Sequence, residues 1–135
     1  MAAGQKLFMI GSLPSNHRGL VMIDKPHLDE EALTELQEVM EDEFNVLIET
    51  YLRDSSDRIS YLRTAIGSSD PESFAKTAHS FKGSSVNIGA PRLGALCLRA
   101  EEAGRENRLG DAGNVVDDIE AEFQRVEQTL KRFLA

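Results

Sequence analysis

The sequence predicts an all-α fold, an antiparallel four-helix bundle with an additional short N-terminal helix. Three observations carry that prediction. Apolar residues recur at three- and four-residue spacing from Leu28 almost to the C terminus, the interruptions fall at Gly and Pro, and no segment alternates with the period of two that a half-buried strand needs. At 135 residues and 41% hydrophobic residues the chain has the size of one ordinary domain, enough for a single core without cross-links.

Residues 1–21 read as a leader without helical or strand period, with Gly4, Gly11, Pro14 and Gly19 scattered through it. We expect it to be flexible, an expression remnant ahead of a native start near Met22, with the domain itself spanning residues 22–135. Its first 20 residues hold two of the 15 basic residues and none of the 23 acidic ones, so the remainder carries −10 rather than −8.

The first helix should start behind Asp29 as N-cap, with acids in its opening turn and an apolar edge of Leu33, Leu36, Val39 and Met40. The second should run from about Glu43 to Ile66, its stripe made of Phe44, Ile48, Tyr51, Leu52, Ser55, Ile59, Leu62 and Ile66. Gly67 supplies its stop. Asp70-Pro71-Glu72 opens the third helix, because Asp accepts from orphan N–H groups and Pro costs least at the first helical position. That helix should reach Asn87 or Ile88, where Gly89 breaks it. Pro91 opens a fourth with buried Leu93, Leu96, Cys97 and Ala100, closing near Gly104. After a polar loop, Asn114 should cap a last helix with the stripe Val115, Ile119, Phe123, Val126, Leu130 and Phe133. The acids between stripes, Glu120 and Glu122 among them, read as solvated faces.

Charge and composition narrow the function. An excess of acid disfavours non-specific binding to nucleic acid or an anionic membrane, so the partners should be proteins. Cys97 has no second cysteine to pair with and reads as a core residue in a reducing setting. No apolar run approaches the roughly 18 residues of a membrane span, and the expected location is the cytoplasm.

The third helix departs from its neighbours. Phe74, Ala78, Phe81, Ser85 and Ile88 fall within an arc of about 80° and serve as its core stripe. On the other side Ala75, His79, Lys82, Gly83 and Val86 cluster within about 100°. Glycine inside a helix costs roughly 1 kcal/mol relative to alanine, and no turn is needed at Gly83. One turn from His79, its missing side chain opens space for another surface to approach the ring. An exposed, neutral imidazole is an available nucleophile, and the ammonium of Lys82, three residues on, suits an electrophile with negative oxygens, namely a phosphoryl group.

The run Ala78-His79-Ser80-Phe81-Lys82-Gly83-Ser84-Ser85, followed by Asn87, Gly89 and Ala90, resembles the signature of the histidine-containing phosphotransfer (HPt) domains of bacterial two-component phosphorelays. The likeness covers about residues 28–133 and is consistent with a stand-alone domain of the HptB type. The resemblance implies that His79 is the phosphorylated residue, that Lys82 is associated with the phosphoryl oxygens and that Gly83 leaves room for the partner. Ala75 and Val86 would flank the docked receiver. Ser84 and Ser85 match small polar positions, and Gly89 the turn into the next helix. It further implies transfer from a receiver-domain aspartate of a hybrid sensor kinase to His79 and on to the receiver of a response regulator. Mg²⁺ is expected on the receiver and no cofactor on this chain, whose expected state is a monomer.

Other readings have their own requirements. An autophosphorylating histidine kinase would need an ATP site, and the chain has no G-x-x-x-x-G-K-S/T run. A helical adaptor would use the same patch without covalent chemistry. A metal-binding bundle would need a Glu-x-x-His arrangement, but Lys76 stands three residues before His79, and His17 and His27 show no ligand spacing and read as solvated.

Overall fold

The computed structural model describes residues 26–134. The expectations for the leader 1–21, for a native start near Met22 and for His17 lie outside the described residues. Among those residues the elements are α1 (Glu30–Met40), α2 (Asp42–Gly67), α3 (Pro71–Asn87), α4 (Pro91–Arg105) and α5 (Ala112–Phe133), with a 3₁₀ turn at Leu109–Asp111 and no strand. Helices α2 to α5 close a ring in which each packs on the next and α5 returns to α2, while α1 lies against α2. This is the four-helix bundle with a short extra helix.

The caps follow the sequence at two helix starts. An Asp29 carboxylate oxygen accepts from the Ala32 amide at 3.1 Å, and an Asp70 oxygen accepts from the Ser73 amide at 3.1 Å. Backbone and side-chain bonds from Ser73 hold the Asp70 carboxyl below its ordinary pKa range. Phe74, Ala78, Phe81, Ser85 and Ile88 are all buried, as the wheel of α3 requires. Phe123 lies 6.4 Å from both Tyr51 and Phe81, centroid to centroid, joining three helices at the middle of the core. Each fully covered phenylalanine contributes on the order of 2 kcal/mol through burial.

Some expectations need correcting. Val39 is 80% exposed rather than part of the α1 edge, because α1 meets the bundle along a narrow line through Leu33, Leu36 and Met40, and Val39 sits to one side of it. Leu52 and Ile66 are only partly covered. Helix α5 begins at Ala112, not behind Asn114: Ala112 is fully buried and Leu109 packs on the core edge, so the chain turns helical earlier. The pair α3–α4 is the most closely packed in the bundle. Glycine permits it, since a Cβ at Gly104 would lie 2.9 Å from the Ala75 Cβ and from the Pro71 carbonyl oxygen, and one at Gly94 would lie 2.8 Å from Val86 Cγ2.

Candidate functional site

Close packing of α3 on α4 brings His79 opposite Glu101. His79 projects from α3 with its side chain 61% exposed, and its Nδ1 lies 3.0 Å from Glu101 Oε2. The same carboxylate accepts from Lys82 Nζ at 2.9 Å through Oε1 and from Arg105 Nε and Nη2 at 3.0 and 2.6 Å through Oε2. Glu101 is only 4% exposed. Burial by itself would raise its pKa, but the hydrogen bonds from Lys82, Arg105 and His79 outweigh burial and hold it at about 2. It is therefore an anion near neutral pH.

That charge state fixes the imidazole. An ionised carboxylate can only accept, so in the neutral ring Nδ1 carries the hydrogen and Nε2 keeps its lone pair. The ring is thus held by one nitrogen and available at the other. Among the described residues, and apart from its chain neighbours and its own helix backbone, no atom would lie within 4 Å of a Cβ at Gly83. Unlike Gly94 and Gly104, this glycine is not required by a close approach of α4, and its open side is one turn from His79.

The remaining motif residues divide by environment. Val86 is 57% exposed. Ala75 is 8% exposed and faces Gly104, where the close approach of α4 covers most of it. The Ser84 hydroxyl donates to the Phe81 carbonyl at 3.1 Å and lies 3.4 Å from Arg58 Nη1, while Ser85 is buried with its hydroxyl 2.8 Å from the Tyr51 hydroxyl. Both serines make local hydrogen bonds, and burial pushes the Tyr51 phenol up to about 12. Gly89 adopts φ +88°, a conformation side chains disfavour, and its carbonyl accepts from the Asp29 amide at 2.7 Å. Cys97 is buried and burial raises its thiol pKa to about 12, so it is an inert core group.

Sequence reasoning missed Glu101 and Arg105. The signal was the placement of an acid four residues after Cys97 and eight after Leu93, on the buried stripe of α4. It also misplaced Glu122 and His27. Glu122 is 2% exposed, because it follows Ile119 by three residues on the apolar side of α5. His27 is not simply solvated: its Nδ1 lies 2.6 Å from Glu122 Oε2. Arg92 lies 3.4 Å from His27 Nε2, and Arg125 Nη1 lies 3.6 Å from Glu122 Oε1. Glu120, in contrast, lies at the surface with Arg63 at 2.6 Å. Among the described residues no group of three His, Cys, Asp or Glu is placed to hold a metal ion, and no helix is long and apolar enough to cross a membrane.

The family model for the Hpt domain matches residues 46–129, which include His79, Lys82, Gly83, Glu101 and Arg105. The chain belongs to the Hpt domain family. It is similar to a solved structure titled as histidine-containing phosphotransfer protein B (HptB) from Pseudomonas aeruginosa PAO1, with 42% sequence identity and a TM-score of 0.76 over 79% of this chain and 93% of that one. Among curated proteins nothing matches. As an Hpt domain the chain is a histidine phosphotransfer protein of phosphorelay signalling, in a family of phosphotransfer carriers whose partners are receiver domains.

Proposed function

We propose that His79 is the phosphoryl acceptor of this Hpt domain, that Nε2 is the reacting nitrogen, and that the domain shuttles the group between the receiver of a hybrid sensor kinase and that of a response regulator. The observation that carries this reading is the buried, ionised Glu101 carboxylate 3.0 Å from Nδ1 of a largely exposed imidazole. In the transfer step the Nε2 lone pair attacks the phosphorus of the receiver's aspartyl phosphate in line. The P–O bond breaks, its electron pair leaving with the aspartate, as the N–P bond forms. The Nδ1 proton stays in place, so the ring becomes cationic next to Glu101, whose charge opposes it. The reverse step delivers the group to another receiver.

Lys82 supplies a cation for the phosphoryl oxygens, and the open side of Gly83 with the exposed Val86 gives the receiver its approach. Mg²⁺ belongs to the receiver in this scheme. The phosphoryl group comes from outside, since the chain has no phosphate-loop run and we assign it no autokinase activity. We take the domain to comprise residues 22–135 and to act as a cytoplasmic monomer. The reading is tested by mixing the protein with a phosphorylated receiver: acid-labile, alkali-stable label on His79 is expected, whereas protein left unlabelled by several receivers would favour an adaptor without covalent chemistry.

A further inference from the structure

Glu101 holds more cations than a buried carboxylate requires. Lys82 is bonded to Oε1, whereas Arg105 and His79 share Oε2. A buried carboxylate is costly unless it is paired, so a lone Lys82 could not be drawn away without exposing that cost. Arg105 changes the balance. It sits one turn after Glu101 on α4, its side chain 64% exposed at the outer edge of the cluster, with two N–H groups already on the carboxylate.

We propose that Arg105 is a positioning residue that keeps Glu101 compensated while Lys82 is drawn from Glu101 Oε1 onto the phosphoryl oxygens at His79, an inference that rests on His79 being the acceptor. The arriving group brings about two negative charges, and formation of the N–P bond leaves the ring with one positive charge. With Lys82, Arg105 and Glu101 the phosphorylated cluster is then neutral. Without Arg105 it is one positive charge short, and Lys82 must serve the buried carboxylate and the phosphoryl group at once. Arg105 acts in this scheme through Glu101 and need not touch the phosphoryl group.

The test is a double-mutant cycle on transfer from a purified receiver carrying radiolabelled phosphoryl group, with helix content and melting checked for each variant. Arg105→Ala should slow transfer about ten-fold in the wild-type background but less than about two-fold in the Glu101→Gln background. The neutral amide still accepts from Nδ1 through its carbonyl oxygen and has no charge with which to retain Lys82. Arg105→Lys, which keeps the charge, should recover most of the rate. An Arg105→Ala variant as fast as wild type, or equally impaired in both backgrounds, would overturn the inference while leaving His79 as acceptor. His79→Gln run alongside separates the two claims, since label accepted by that variant removes the acceptor assignment itself.

Discussion

Nδ1 of His79 lies 3.0 Å from Oε2 of Glu101, across the interface between α3 and α4. One nitrogen of an otherwise exposed ring is thereby tied to a buried anion, and the proton on it cannot be confused with the site of attack. Replacing Glu101 with Gln keeps an acceptor for Nδ1–H but removes the charge that opposes the cationic ring. Transfer from a receiver should fall about ten-fold with the helical spectrum retained, measured as label acquired against time. An unchanged rate would mean that orientation alone matters.

Glu101 also ties stability to acid. Its pKa is lowered from 4.5 to about 2 by Lys82, Arg105 and His79 acting against burial, so it contributes stability that is present above pH 4.5 and lost as pH falls toward 2. Thermal melting between pH 7 and pH 2 should show a smaller acid-induced fall for Glu101→Gln than for wild type. Parallel curves for the two proteins would show that the carboxylate is not held ionised.

Gly83 and Gly104 should respond to alanine with opposite signs. At Gly83 a Cβ meets nothing within 4 Å, so Gly83→Ala should stabilise the helix by roughly 1 kcal/mol, raising the melting temperature by about 3 °C. At Gly104 the same Cβ would lie 2.9 Å from Ala75 and from the Pro71 carbonyl, forcing α3 and α4 apart and lowering it. Gly83→Glu should keep the fold but block receiver transfer through bulk and like charge near His79. Transfer at the wild-type rate would remove the role assigned to this glycine.

Much of this was legible in the sequence for a definite reason. The stripe Phe74, Ala78, Phe81, Ser85 and Ile88 is read by period alone and is buried throughout, and Pro71 behind Asp70 marks a helix start by chemistry confined to a few residues. His79 and Gly83 stood out because they break the rules of a solvated helix face. Glu101 did not, since its role depends on which residue of α3 faces it, a relation spanning 22 residues of sequence that periodicity cannot supply. Glu122 was misread for the same reason, its partner His27 lying 95 residues away. Asn114 had the right chemistry for a cap, but burial of Ala112 two residues earlier decided where α5 begins.

The His27–Glu122 pair anchors the segment before α1 to α5. His27→Ala should leave Glu122, among the described residues, with the longer contacts to Arg92 and Arg125 and lower stability by roughly 1–2 kcal/mol, read from urea unfolding. No change in the midpoint would show that the arginines alone suffice.

The central claim, that His79 carries the phosphoryl group, is tested most directly by incubating wild type and His79→Gln with a phosphorylated receiver and mapping the acquired label by peptide. The account predicts acid-labile label confined to the peptide containing His79 and none on the variant, with both proteins equally helical. Label on any other residue, or on His79→Gln at the wild-type level, would contradict it.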